Sequence, residues 1–189
     1  MKPTDELRHE HEIILHMLSG AERTAQSIQS AGAVDAKKVE DIIDFSRHFT
    51  DGCHHAKEER NLFVRLQEHG MPQGQGPIAV MLQEHETGRE CIQSIETALK
   101  VHQAGDVGAA YTIGRNMLEY VELLRAHISK ENNVLLPLSD RLLTPNDQRS
   151  LEESFKAIEE HEVGAGVHEK YHRMAHDIAE QRATPTMRP

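Results

Sequence analysis

Cysteine is scarce in this chain. Cys53 and Cys91 are the only two in 189 residues, and neither falls in a CxxC or CxxCH pattern. That excludes a disulfide scaffold and an iron–sulfur cluster, and a reducing compartment is the simplest fit. Long apolar runs are missing too. Nothing approaches the roughly 18 residues of a membrane span, and the opening MKPTDELRHE lacks the basic-then-apolar profile of a secretory signal. A soluble, cytoplasmic protein is expected. Basic residues are in deficit: 21 Lys and Arg against 31 Asp and Glu leave a net charge of -10, which repels phosphate backbones and anionic lipid. No nucleic-acid and no membrane partner is therefore expected, and the sequence names no protein partner. Period-two alternation is scarce, which argues against a sheet. Tryptophan is absent and all aromatics together make up 4%.

What the chain has instead is histidine, 14 of them, recurring in an ordered way that scattered surface residues do not explain. At 38% hydrophobic and 28% charged, the chain is long enough for one domain with a proper core. Apolar residues recur three and four apart almost throughout, so it reads as nearly all helix. Punctuation divides it into five segments. The first runs from Thr4 or Asp5 to about Ser30, and the second from Asp35 to about His69. The third runs from Pro77 to about Gln103, and the fourth from Asp106 to about Leu136, with Pro137 forcing a break or kink. The fifth opens on Thr144-Pro145-Asn146-Asp147 and continues to about Gln181. Four long helices with short connections predict an all-α, up-down-up-down antiparallel four-helix bundle over residues 1–143. A fifth, C-terminal helix over 144–182 is expected to pack on it, followed by a flexible tail, 183–189.

Two stretches share a skeleton. HHAKEERNLF, His54 to Phe63, and HISKENNVLL, His127 to Leu136, both read His-x-x-x-Glu-x-x-x-Leu followed by Phe or Leu. Helix one carries Glu10-His11-Glu12 and helix three Glu84-His85-Glu86. The separations are 85 − 11 = 74 and 127 − 54 = 73 residues, so the chain reads as a duplicated helical hairpin. Counting back from Leu62-Phe63 as from Leu135-Leu136 selects His54 and Glu58 rather than His55 and Glu59. Residues four apart on an α-helix lie within about 40° of each other and about 6 Å along the axis, so each pair forms a two-toothed ligand. Four imidazoles and two carboxylates suit two first-row metal ions, with a carboxylate able to bridge them. Iron or manganese is favoured by analogy with inward-facing sites in other four-helix bundles. The alternative, ordinary polar residues on solvated faces, suits any one histidine better than it suits the matched set.

These residues resemble the hemerythrin-like (HHE cation-binding) family over roughly Leu7 to Leu138, through EHEII, HHAKEERNLF, GPIAVMLQEHETGR and HISKENNVLLPL. The resemblance implies a four-helix bundle around a non-haem centre of two iron ions, with manganese or a mixed pair as alternatives. It makes His11, His54, His85 and His127 terminal ligands and Glu58 and Glu131 bridges, with no catalytic residue beyond the ligands. The oxygen carriers of that family place two histidines four apart on the third helix, whereas here Arg89 follows His85. The implied function is binding or reaction with a small diatomic or peroxide ligand (dioxygen, hydrogen peroxide or nitric oxide) in redox stress response or sensing. Non-enzymatic iron binding or reversible dioxygen binding is the alternative. The iron-repair branch of the family usually carries a cysteine-bearing extension before the first ligand helix, and Leu7 already belongs to that helix here, so that branch is less expected.

Further along, Glu160-His161-Glu162 is a third EHE, and His161 is read as an additional ligand for an open metal position, with a solvated face as the alternative. Tyr120, two turns before His127, is expected at the edge of the site or in the core. Cys53 and His55 flank His54 about 100° to either side and are read outside the ligand set. His9, His16, His48, His69, His102, His172 and His176 have no partner in the repeat and are read as surface or packing residues.

Overall fold

The computed structural model describes residues 2–160 and 167–180, apart from the side chains of 167 and 168. Among the described residues the secondary structure is all helical, in six helices. α1 spans Pro3–Ala31; Pro3 occupies its first turn, and Gly32 ends it at φ 68, donating its N–H to the Ile28 carbonyl. α2 runs over 36–68, opened by the Asp35 side chain accepting from the Lys38 N–H. α3 is Gly76–Gln103, and α4 runs over 109–142. No helix among the described residues is long and apolar enough to cross a membrane.

Two helices contain wider turns. In α2, Ser46–His55 and Glu58–Leu62 are π-helical, and in α4 so is Glu131–Leu135. The Phe63 N–H bonds the Glu58 carbonyl and the Leu136 N–H bonds the Glu131 carbonyl, each five residues back, so a π turn starts at both glutamates of the repeat. Of the break or kink expected at Pro137 the break does not occur: the helix continues to Leu142, with a widened turn just before the proline. A proline ring clashes with the carbonyl four residues back in a regular helix, and the widened turn just before it relieves that clash.

In the fifth segment the described residues form α5 (Pro145–Ile158) and α6 (Val167–Glu180). α5 opens with the expected box, the Thr144 hydroxyl accepting from the Asp147 N–H and the Asp147 carboxylate from the Thr144 N–H. It packs on α1 and on the second π turn of α2, whereas α6 packs along α1 and the start of α2. Gly164 and Gly166, each of which weakens a helix interior by roughly 1 kcal/mol relative to alanine, lie outside the described residues, as do His161 and residues 181–189.

Apolar residues form two clusters. The larger includes Ile14, Met17, Phe45, Phe49, Ile95, Met117, Tyr120 and Leu124; the smaller includes Leu7, Leu62, Phe63, Ile78, Met81, Leu135 and Phe155. α1 and α3 run from the smaller cluster towards the larger, and α2 and α4 run the other way. Each helix therefore crosses the gap between the clusters once, at His11, His54, His85 and His127, and so sets a belt of buried polar side chains there. Each fully buried Leu, Ile, Phe or Met contributes about 1.5–3 kcal/mol. These two apolar caps keep water from the belt between them.

Candidate metal centre

The belt holds Glu10, His11, His54, His55, Lys57, Glu58, His85, His127 and Glu131, none more than 4% exposed. Two groups of donors converge within it: His11, His54, Glu58 and Glu131 in one, His55, Glu58, His85 and His127 in the other, with the ligand atoms of each group within 4.8 Å of one another. Glu58 belongs to both. Glu131 Oε2 straddles the two as well, 3.1 Å from His11 Nε2 and 3.2 Å from His127 Nε2. The six residues of the sequence repeat thus meet in one place.

His55 joins them, contrary to the sequence reading. Its ring stacks on that of His85 with centroids 3.7 Å apart, and it is 4% exposed. The reason is the π geometry. Each i→i+5 turn takes up one extra residue and shifts the register of the buried face, so His54 and His55 straddle the interior, His54 with the group of His11 and His55 with that of His85 and His127. The doubled histidine was the available signal, and an α-helical wheel conceals it.

Every imidazole is held by its outer nitrogen. His54 Nδ1 donates to Glu10 Oε2 at 2.8 Å, His85 Nδ1 to Glu59 Oε1 at 2.7 Å and His127 Nδ1 to Glu84 Oε2 at 2.9 Å. His11 Nδ1 donates to Asn132 Oδ1 at 2.8 Å and His55 Nδ1 to Asp51 Oδ1 at 3.3 Å. The repeat explains this lattice. The residue before each EHE histidine (Glu10, Glu84) supports the His-x-x-x-Glu histidine of its hairpin partner, and the residue after each shared glutamate (Glu59, Asn132) supports the EHE histidine. Anchoring Nδ1–H to an acceptor leaves Nε2 with a lone pair, the tautomer a metal needs.

Most of those lone pairs have no donor to meet. His85 Nε2 and His127 Nε2 face each other at 3.1 Å. His11 Nε2, His54 Nε2 and all four carboxylate oxygens of Glu58 and Glu131 are buried without a hydrogen-bond partner. Acceptors crowded against acceptors in a dry interior are strongly unfavourable unless cations lie among them. The donor chemistry of the site therefore fits metal ions.

Charge regulation points the same way. Burial, then the neighbouring His11, pushes His54 well below its ordinary value; burial, then His85, does the same to His55. Burial also lowers His85. Burial pulls against His127, but Glu131 and Glu84 hold it above its usual value. Burial and the Glu131 charge drive Glu58 well upward, whereas Glu131, despite burial, is kept ionised by His127 and His11. The neutral His54, His55 and His85 beside the ionised Glu131 are ready to bind cations, whereas His127 and Glu58 would each release a proton on doing so.

Two features surround the centre. Lys57, fully buried, donates to Glu10 at 2.6 Å, Glu6 at 2.7 Å and Glu159 at 2.7 Å, tying the support of His54 to the end of α5. Cys53 lies beside this cluster, its thiol pushed up to about 12 by burial and by Glu10, so it stays protonated. On the other side a cavity of about 160 Å³ reaches His55 and His85, lined also by Ser46, Thr50, Tyr120 and Arg89. The Ser46 and Thr50 hydroxyls are buried there. Arg89, in the place where the carrier pattern has a second histidine, spans Glu59 at 2.6 Å and Asp51 at 2.8 Å, the acceptors of His85 and His55. Tyr120 belongs to the larger apolar cluster and also lines this cavity.

Residues 2–139 match the family model for the hemerythrin HHE cation binding domain. Uncharacterized proteins of Mycobacterium tuberculosis (Rv1995) and Mycobacterium bovis (Mb2018) are each 21% identical over 160 residues, covering 85% of this chain and 62% of theirs. The chain thus spans about three-fifths of the length of those relatives. The iron-sulfur cluster repair protein YtfE of Enterobacter sp. (strain 638) is 36% identical over 86 residues, 44% of this chain and 39% of its own. No solved structure matches at a significant level.

Proposed function

The chain belongs to the hemerythrin HHE cation binding family, and on that premise we propose that its buried centre holds two iron ions which bind or react with a small oxidant: dioxygen, hydrogen peroxide or nitric oxide. The observation that carries this reading is the convergence of five buried histidines with Glu58 and Glu131, among which His11 Nε2, His54 Nε2 and all four carboxylate oxygens lack a hydrogen-bond partner. His11 and His54 would hold one ion and His55, His85 and His127 the other, with Glu58 and Glu131 between them. The helices alternate in direction as an up-down-up-down bundle, which brings one ligand pair from each hairpin to the same depth. When bound, such ions supply redox-active positions at which a small molecule can exchange electrons.

The chain's own residues set the conditions. The outer acceptors Glu10, Glu59, Glu84, Asn132 and Asp51 orient the five rings, and the two apolar caps exclude bulk water. The cavity beside His55 and His85 is large enough only for a small reactant, and the Ser46, Thr50 and Tyr120 hydroxyls that line it offer hydrogen bonds. The two sides of the centre are unequal. The repeat places Ile128 opposite His55, 128 − 55 = 73, so only one side has a third imidazole, and that side adjoins the cavity. Unequal ions suit reaction at one of them better than symmetric storage. The partial likeness to an iron-sulfur cluster repair protein supports iron as the metal. The cytoplasm suits such a role.

Optical spectra of the reduced protein, recorded anaerobically and then with dioxygen, peroxide or nitric oxide, test the proposal. A new absorption band that decays as the oxidant is consumed is expected. A band that returns unchanged on removing dioxygen would indicate reversible binding, and no spectral response to any of the three would remove the reading.

A further inference from the structure

Of the seven histidines read as surface or packing residues, four meet on one surface. α1 presents His9, Glu12 and His16 along an exposed stripe, and α6 presents His172 and His176 one turn apart. The stripes face each other across an open groove of about 250 Å³, lined between them by Ile13 and Ala175. The rings of His9 and His172 have centroids 6.4 Å apart, those of His16 and His176 5.7 Å, and Glu12 Oε2 lies 3.5 Å from His9 Nδ1.

The packing of α6 sets this register. Tyr171, Ala175 and Ile178 are buried at spacings of four and three, and at Gly20 the backbones come so close that a Cβ would lie 2.4 Å from the Ile178 carbonyl oxygen. His172 and His176 each follow one of those buried residues by one position, which sets both beside the α1–α6 seam.

We propose that this groove is a second, surface metal site, separate from the buried centre, which takes one divalent ion of the imidazole-preferring class, zinc, nickel or copper. His172 and His176 form the chelating pair, as two histidines four apart on a helix do in metal sites. α1 completes the set with Glu12 and with His9 or His16. With metal–nitrogen bonds of about 2.1 Å, two rings on one tetrahedral ion hold their centroids roughly 5 Å apart. The observed gaps exceed this by an amount that exposed side chains close by rotating: the His9 and His176 side chains are 54% and 55% exposed. Glu180 Oε1, 3.3 Å from His176 Nε2, is a carboxylate that orients that ring or joins the set. Oxygen-preferring magnesium and calcium are excluded by the same donors. Because the ligands come from two helices, the ion also staples α6 to α1.

The purified full chain with its own metals is equilibrated with zinc, desalted, and assayed for zinc and iron per chain. Wild type is expected to retain one zinc ion with its iron unchanged. The His172→Ala/His176→Ala variant is expected to retain none and to keep the same circular dichroism and iron content, since both side chains are exposed. Titration should show the single His172→Ala variant weakened by more than the roughly 10–100-fold that loss of an outer-sphere partner costs. Three results would overturn the site: no zinc retained by wild type, zinc retained only in exchange for iron, or as much zinc retained by the double variant. None of these bears on the buried centre, whose iron is counted in the same samples.

Discussion

Replacing His55 by isoleucine, the residue its repeat twin Ile128 carries, tests the asymmetry of the centre. In the metal-free chain the change is small. The ring loses a 3.3 Å hydrogen bond to Asp51, worth about 1 kcal/mol, while Asp51 keeps Arg89 as a partner and an apolar side chain of similar size fills the buried space. In the metal-loaded chain one of three imidazoles on the cavity side is gone. Metal bound only by the folded state stabilises it by about 2.7 kcal/mol at a hundred times its dissociation constant. Losing that ion should therefore lower Tm by about 5–11 °C, at roughly 2–4 °C per kcal/mol for a chain of this size. The assay is differential scanning calorimetry of wild type and His55→Ile, each with metal and after chelation, alongside metal analysis. The expected pattern is a Tm deficit in the loaded pair, near equality in the chelated pair, and a fall from two ions towards one. Two ions per chain in the variant, with equal Tm shifts in both pairs, would return His55 to a packing role.

Other perturbations probe the surroundings. His54, His55 and His85 are held neutral by burial, so the unfolded chain takes up protons below pH 6.5 that the folded chain refuses; stability should fall with pH from there downward by up to about 1.4 kcal/mol per unit for each, partly offset by Glu58, which takes up its proton at higher pH in the folded chain than in the unfolded one, and metal should leave over the same window. A pH titration of Tm and bound metal that stays flat between pH 6.5 and 5 would contradict it. Thr50→Val and Tyr120→Phe alter the cavity without touching a ligand, so they should change the rate of reaction with peroxide while metal content stays the same; equal rates would disconnect the cavity from the centre. Gly20→Val drives a side chain into the α6 backbone, at a cost of about 1–3 kcal/mol, and should expose residues 167–180 to proteolysis first. Uniform protection of that helix would refute the close contact.

The sequence showed the helical class because apolar spacing of three and four is a local signal, and it showed the six repeat residues because duplication wrote them twice. His11, His54, Glu58, His85, His127 and Glu131 do share one buried belt. Other parts were hidden by their physics. The π turns leave the composition unchanged, and they alone bring His55 inward and carry α4 past Pro137. Glu10 and Glu84 were legible as members of EHE triplets, but their task, supporting a histidine on another helix, depends on tertiary register. The docking of α5 on the second π turn of α2 and of α6 on the start of α2 depends on tertiary contacts, which periodicity within one segment does not encode.

Metal content per folded chain tests the central claim most directly. Protein expressed with ample iron, desalted and analysed for iron and manganese should carry two such ions per chain, any zinc in the α1–α6 groove being counted apart, and Glu131→Ala, which removes the ionised carboxylate beside both His11 and His127, should lose metal and thermal stability together. A folded wild-type chain that carries no transition metal, with a Tm unchanged by chelators, would contradict it.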